Sequence, residues 1–219
     1  LTLLVTIGIS GLLGLVVEFV GFRKFRSHDA HITAALSSFA IGLVIIDLTQ
    51  KMWGTEAVAI AFPDELRIAS IEILGIRIVL VKLGILALSL LLMLVLHLVV
   101  VRTNLGRSIR AVAESSGNAA LYGINVTRIS QLVFVIASAL AGVAGMALTI
   151  RTGYANTASG FNFGLKALAI MAIGGMGDLR GAFLGGLLVG VLEALAFQWG
   201  VGQLADVAVW VFMICVLLV

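Results

Sequence analysis

The sequence predicts an all-α protein, a polytopic bundle of transmembrane helices with about seven spans. Hydrophobic residues make up 61% of its 219 residues and charged residues only 11%, whereas about 25% of the residues in a soluble domain are charged. Most of the surface must therefore face something other than water. The apolar runs are long and continuous, unlike the alternating segments of a transmembrane β-barrel. Helices satisfy their own backbone hydrogen bonds, as lipid requires.

The candidate spans are apolar runs of bilayer length, since a hydrocarbon core of about 30 Å needs about 20 apolar residues. They lie at about 1–20, 31–50, 78–100, 128–150, 161–177, 182–200 and 203–219. The fifth is short and rich in glycine. Both chain ends fall inside apolar runs, and no signal-peptide pattern is present. We therefore expect a sequence truncated at both ends.

The basic residues predict the orientation of the bundle. Segments 21–30, 101–127 and 176–181, together with Arg128, carry more Lys and Arg than the segments on the opposite side, which also hold five acids. The positive-inside rule places the richer side in the cytoplasm. Segment 101–127 is then cytoplasmic and segment 51–77, which is too polar to span, is an external loop.

Several other functions are not supported by the sequence. The net charge of +3 follows from the loop asymmetry, and nothing indicates nucleic-acid binding. Cys215 is the only cysteine, so no disulfide framework exists. The three histidines lie far apart in sequence, and no metal site is predicted. No P-loop pattern is present to hold a nucleotide.

The cytoplasmic segment predicts two short helices that meet at a corner. Residues 107–114 are strong helix formers. Ser115 and the residues after it break this helix and offer an N-cap for a second one. Gly123 stands where a left-handed C-cap is expected. Leu121 and Tyr122 are apolar enough to enter a groove on a partner; the alternative is a solvated connector.

This segment reads "GRSIRAVAESSGNAALYGINVTR" and resembles the cytoplasmic coupling segment of permease subunits of branched-chain amino-acid ABC importers. That family typically reads G-R-x-x-R-A-x-A-E, six or seven variable residues, then L-x-G-I-N. "VVEFVGFRKFRS", "FVIASALAGVAGMAL" and "GLKALAIMAIGGMGDLRGAFLGGLLVGVLEALA" resemble other parts of the same family in the same order. Departures stand at Ile46-Asp47, where the family often has Gln-Asn, at Ser115-Ser116, where it has Asp-Pro, and at Leu179-Arg180, where it has a small residue and Pro.

The resemblance implies that residues 1–219 form one transmembrane permease domain of an ATP-driven importer for branched-chain or related small amino acids. It implies no enzymatic activity and no cofactor in this chain, since partner ATPase subunits bind ATP and magnesium. The implied partners are a second homologous permease, two cytoplasmic ATPases and a periplasmic or extracellular substrate-binding protein. The implied location is a bacterial-type inner membrane.

Coupling to the ATPases is assigned, by the resemblance, to the segment 107–123. The residues concerned are Arg107, Arg110, Ala113, Glu114, Leu121, Tyr122 and Gly123. The two arginines are expected to fix the segment through acids or helix C-termini. One alternative is the same machinery importing an amide, urea or a sugar. Another is an ion-coupled secondary transporter, which usually shows broken helices with buried acids.

A second motif, Gly175-Met176-Gly177-Asp178, matches the G-x-G-D of intramembrane aspartyl proteases. Such an enzyme needs two facing aspartates with different pKa values. The other candidate, Asp47, lies at the opposite face of the predicted bilayer. Asp178 is therefore predicted to be a turn residue, and no catalytic residue is assigned.

The glycines around this turn predict close helix packing. Gly175 and Gly177 permit the positive φ of a tight reversal. Small residues four apart let a neighbouring backbone approach. The packing glycines are Gly181, Gly185, Gly186 and Gly190.

Ionisable residues inside spans are functional candidates. A hairpin that turns near 178–179 brings Lys166 opposite position 191, so an ion pair or a shared polar cluster with Glu193 is predicted in the outer half of the membrane. The pair either pins the hairpin or lines the transport route or its outer gate. Glu18, Lys82 and His97 lie near span ends and are expected to reach interfacial water.

The second span carries a polar stripe, formed by Thr33, Ser37 and Ser38, with Asp47 near its outer end. The stripe either lines the transport route or forms hydrogen bonds to helix carbonyls and to a neighbouring helix.

Overall fold

The computed structural model describes residues 2–22, 31–60, 70–73, 76–175, 177–198, 200 and 205–218. The helices are α1 (Thr2–Val17), α2 (His31–Trp53), α3 (Leu80–Arg102), α4 (Asn104–Glu114), α5 (Ser116–Leu121), α6 (Val126–Thr152), α7 (Ser159–Gly174), α8 (Leu179–Gln198) and α9 (Ala205–Leu218). A π-helical turn, Glu18–Phe22, follows α1. The strands are β1 (Val58–Ala59), β2 (Ser70–Ile73), β3 (Ile76–Val79) and β4 (Tyr154–Ala155).

Each predicted span coincides with a helix to within a few residues, so the helical fold class is confirmed. Among the described residues, four helices are long and apolar enough to cross a membrane: Thr2–Phe22, Leu80–Arg102, Val126–Thr152 and Leu179–Gln198. The shorter α7 is also apolar. The total of seven crossings stays a prediction.

The chain divides into two compact units, Leu1–Thr157 and Ala158–Val219. The first unit contains α1 to α6 and all four strands. The second contains the hairpin of α7 and α8, with α9 in contact with both helices.

In the first unit, α1 and α6 pack together through two glycine–serine contacts. A Cβ atom placed on Gly14 would overlap the Ser138 hydroxyl, and one placed on Gly142 would overlap that of Ser10. The pairs run in opposite directions along the two helices, so the helices are antiparallel. Small residues allow this close approach. Sequence analysis missed the interface, although the spacing of these small residues signals it.

Short strands occupy part of the segment 51–77 predicted as an external loop. β1 pairs antiparallel with β4, which follows α6, with Val58 opposite Ala155. β2 and β3 form a hairpin that leads directly into α3. Pro63, in the same predicted loop, lies outside the described residues. The pairing of β1 with β4 ties the chain after α2 to the end of α6.

The expectation that Glu18 reaches interfacial water is wrong, because its side chain is fully buried. The helical segment that begins with α1 does not end at Glu18. It continues in the π-helical turn, which contacts both α2 and α6. A Cβ on Gly21 would lie 2.5 Å from the Ile41 side chain, and the ring centroids of Phe22 and Phe134 are 4.7 Å apart. The turn therefore packs as part of the core of this unit.

Candidate functional site

The first candidate site is an elbow, defined here as residues 103–123, which follows α3. Thr103 ends α3 and begins α4. Its hydroxyl donates a hydrogen bond to the Val99 carbonyl at 2.5 Å and accepts one from the Gly106 amide at 3.1 Å. One side chain thus satisfies a C-terminal carbonyl and an N-terminal amide, both of which helix ends leave without partners.

Two further contacts hold α4 against the end of α3. Gly106 is buried, and a Cβ atom on it would overlap the Val100 carbonyl. Arg110 donates a hydrogen bond to the same carbonyl, which is the kind of helix C-terminus contact predicted for it. Arg107 differs from expectation, because it donates to the Asn104 side chain in the first turn of its own helix. Sequence analysis gave Gly106 no role, although it is the first residue of the quoted G-R-x-x-R pattern.

The second corner of the elbow forms at Ser115. Its hydroxyl accepts a hydrogen bond from the Asn118 amide at 3.3 Å, so it is the N-cap of α5. At the other end Gly123 has φ of 80°. The amide of Gly123 donates to Ala120, and that of Ile124 donates to Ala119, the two bonds of a Schellman motif. The predicted N-cap and the left-handed glycine are both confirmed.

The tip of the elbow, formed by Leu121 and Tyr122, is apolar and exposed. Leu121 is 85% exposed and Tyr122 is 88% exposed, the highest values among the large hydrophobic residues that the structure describes. On the other face of α5, Ala119 is buried. Ala113 and Glu114, at the end of α4, are also exposed. The elbow thus presents an apolar pair on a backbone that is hydrogen-bonded at both ends.

We expect Ser115→Ala to lower the free energy of unfolding by about 1 kcal/mol, because an N-cap hydroxyl is lost. The matched control is Ser116→Ala, an exposed position one residue further on, which should have little effect. Denaturant unfolding in detergent, followed by circular dichroism, measures both. Equal effects of the two substitutions would contradict the capping role.

The turn between α7 and α8 holds the G-x-G-D motif. Gly175 and Gly177 have φ of 89° and 96°. The carboxylate of Asp178 accepts a hydrogen bond from the Arg180 amide at 2.9 Å, and its carbonyl accepts one from Ala182 at 3.0 Å. Asp178 is thus a turn residue that caps α8, as predicted.

The packing glycines of α8 differ in what they meet. A Cβ on Gly181 would overlap the Gly174 carbonyl, and one on Gly185 would lie 3.0 Å from the Ile170 carbonyl. Gly186 faces the Ile170 side chain at 3.8 Å on the same measure. Around Gly190, no atom of the described residues lies within 4 Å of such a Cβ. The close approach expected at Gly190 is therefore not formed within the described part of the chain.

The second candidate site is the ion pair of the hairpin. The Lys166 ammonium donates to the Glu193 carboxylate at 2.6 Å, and the side chains are 18% and 22% exposed. The ammonium also lies 5.3 Å from the ring centroid of Phe163. The predicted ion pair is present; its assignment to a transport route or gate stays a prediction.

The polar stripe of α2 is only partly described. The side chain of Thr33 lies outside the described residues. Ser37 faces the π-helical turn, since a Cβ on Gly21 would lie 3.6 Å from its hydroxyl. Ser38 is half-buried. The exposed Asp47 carboxylate lies several turns away along α2. It forms an ion pair with the Lys51 ammonium at 2.8 Å. The structure does not bring Asp47 together with the two serines.

Lys51 lies just beyond the predicted second span. The hydrogen bond that it donates to Asp47, together with the attraction of that carboxylate, raises the pKa of Lys51 above its ordinary value. The Lys51 and Asp47 side chains are well exposed, at 72% and 61%. Solvent therefore screens the ion pair, and its contribution to stability is small.

The long apolar helices of the described part of the chain are those of a multi-pass membrane protein. The chain belongs to the family described as the permease component of the branched-chain amino acid transport system, whose family model matches residues 1–219.

The chain is similar to permeases of known bacterial systems. It is 32% identical to the high-affinity branched-chain amino acid transport system permease protein LivH of Salmonella typhimurium, over 94% of this chain and 67% of that protein. It is 33% identical to the corresponding protein BraD of Pseudomonas aeruginosa, with the same coverage. Similarity to the ribose import permease protein RbsC of Haemophilus influenzae covers 42% of this chain and 30% of that protein, at 32% identity. No solved structure matches the chain.

Proposed function

We propose that this chain is the permease subunit of an ATP-driven importer for branched-chain or related small amino acids in a bacterial inner membrane. The support for the cargo is the extent of similarity. The relatives named for branched-chain amino acid transport match over 94% of the chain, whereas the ribose permease matches over 42%. A second homologous permease, two cytoplasmic ATPases and an external substrate-binding protein complete the transporter, and the ATPases bind ATP and magnesium.

The elbow is the observation that carries the link to an ATPase. An isolated exposed leucine is normal on a protein surface, but Leu121 and Tyr122 are adjacent and stand at the end of a short capped helix. Burial of each on a partner contributes about 1.5–3 kcal/mol. Because Gly106 and Arg110 hold α4 against Val100 of α3, a force applied at the tip reaches a membrane-spanning helix.

The elbow residues have distinct roles in this proposal. Leu121 and Tyr122 supply the contact with an ATPase groove. Gly123 turns the chain back toward α6, whose first turn is capped by Asn125 through the Arg128 amide at 3.1 Å. ATPase closure is thereby transmitted to both α3 and α6, and alternating access follows from their movement.

We expect Tyr122→Asp to reduce transport-coupled ATP hydrolysis at least tenfold in the reconstituted transporter, because a charge replaces an apolar contact surface. Since Tyr122 is 88% exposed, the stability of the permease itself should change little. Tyr122→Phe is the matched control, and it keeps the ring and should keep coupling. ATP hydrolysis and uptake of labelled leucine are measured in proteoliposomes.

Wild-type coupling in the Tyr122→Asp transporter would contradict the role of the elbow. Uptake that continues without the ATPase subunits would instead support an ion-coupled transporter. Gly123→Val gives a second test, since a β-branched residue is strained at φ of 80° and should also uncouple hydrolysis.

A further inference from the structure

The ion pair of the α7–α8 hairpin lies deep in the predicted span. The Lys166 backbone is about 12 Å from the Gly174 end of α7, at about 1.5 Å per residue. Its side chain leans further from that end, because helical side chains point toward the helix N-terminus. Across a hydrocarbon core of about 30 Å, the ammonium therefore lies a little beyond the middle, in the outer half predicted for the pair.

The hairpin covers this pair incompletely. Ala169 of α7 and Val189 of α8 are buried, whereas the side chains of Lys166 and Glu193 remain 18% and 22% exposed. Charges at this depth are costly in lipid and face protein or a water-filled space. The open edge of the pair therefore faces another part of the assembled transporter or a water-filled space, and not lipid.

Three chemical groups lie close together at this site. A cation and an anion are 2.6 Å apart, and the Phe163 ring, which is 43% exposed, lies 5.3 Å from the ammonium. An α-amino acid carries the complementary set, a carboxylate and an ammonium on one carbon. Its carboxylate can take the place of Glu193 on Lys166, while its ammonium takes the place of Lys166 on Glu193 beside the aromatic face.

We infer that Lys166 and Glu193 form a transient binding site for zwitterionic amino acids, in which the solute inserts between the two side chains. The exchange replaces each charge-assisted hydrogen bond by one of the same kind, so neither protein charge is left buried without a partner. An uncharged amide, urea or sugar offers no such exchange and must separate the pair against its own attraction. The site thus favours amino acids over those cargoes.

This inference rests on the proposed function, and its test uses two measurements. The first is the initial rate of ATP-dependent leucine uptake by the reconstituted transporter. The neutral double variant Lys166→Met with Glu193→Leu should lower that rate at least tenfold. The reversed pair, Lys166→Glu with Glu193→Lys, should keep the thermal stability of the permease. Its rate of leucine uptake should remain at least fivefold below that of the wild type. A carboxylate then lies beside the Phe163 ring, and the solute must bind with its ammonium and carboxylate exchanged.

The second measurement is binding without turnover to the permeases and ATPases assembled without the external substrate-binding protein, so that leucine bound by that protein does not contribute. Leucine at millimolar concentration should raise the thermal unfolding midpoint of the wild type by mass action. Two analogues with the same side chain, 4-methylpentanoate and 3-methylbutylamine, each lack one charge and should not raise it, because a site built for a group rejects the analogue without it. The neutral double variant should not respond to leucine.

The control is Lys82→Gln, which removes an exposed ammonium from the first turn of α3 and should leave uptake unchanged. Wild-type uptake by the reversed pair, or an equal response to leucine in the neutral double variant, overturns the inference and leaves the pair as a pin of the hairpin. If the wild type shows no ATP-dependent uptake but responds to leucine alone among the three compounds, the zwitterion site stands and the proposed function fails.

Discussion

Lys166→Met is expected to lower the free energy of unfolding of the permease by about 3–5 kcal/mol, since it leaves the Glu193 carboxylate buried without its cation. The ammonium and carboxylate are 2.6 Å apart and about four-fifths covered, so water that enters at the open edge replaces only part of the lost contact. Glu193→Leu alone should have a cost of similar size. The double variant should recover most of the loss, because an apolar pair of similar volume is often as stable as a buried ion pair.

A double-mutant cycle measures this coupling. The free energies of unfolding of the wild type, both single variants and the double variant are determined by denaturant titration in detergent. A coupling energy of several kcal/mol is expected, well above the value of about 0.5 kcal/mol that marks residues in contact. If the costs of the two single substitutions simply add, the ion pair does not stabilise the hairpin.

Gly106→Ala is expected to destabilise the elbow by about 1–3 kcal/mol, the usual cost of overpacking. The added Cβ would overlap the Val100 carbonyl, a backbone atom that cannot move aside without shifting the end of α3. A helical glycine replaced by alanine normally gains about 0.5–1 kcal/mol, so the clash must exceed this gain. The displaced elbow should also lower coupled ATP hydrolysis.

The control for this substitution is Gly117→Ala in α5. Among the described residues, no atom lies within 4 Å of a Cβ built on Gly117, which is exposed. The same chemical change should therefore be neutral or slightly stabilising. Hydrogen exchange of the elbow amides compares the two variants. Equal protection in both would show that the approach of Gly106 to Val100 is not needed.

Local signals account for what the sequence predicted correctly. Hydropathy places the helices, because the length of an apolar run is a property of the run itself. Ser115 and Gly123 mark the corners of the elbow, because caps depend on neighbouring residues. The pairing of Lys166 with Glu193 could be predicted because a tight turn fixes the register between two adjacent helices.

Contacts between distant parts of the chain could not be predicted in the same way. The glycine–serine contacts of α1 with α6 depend on which helices become neighbours, and hydropathy does not encode that choice. The burial of Glu18 follows from a π-helical turn with no turn residue to signal it. β1 and β4 are each two residues long, too short for an alternating pattern to show.

The two hydrogen bonds of the Thr103 hydroxyl have a mechanical consequence. They join a helix of 23 residues to one of 11 residues without a spacer, so the two arms are about 34 Å and 16 Å long. With Thr103 as the pivot, the longer helix is about twice the length of the shorter one. In the proposed transporter, a displacement of the elbow would therefore be magnified at the far end of the longer helix.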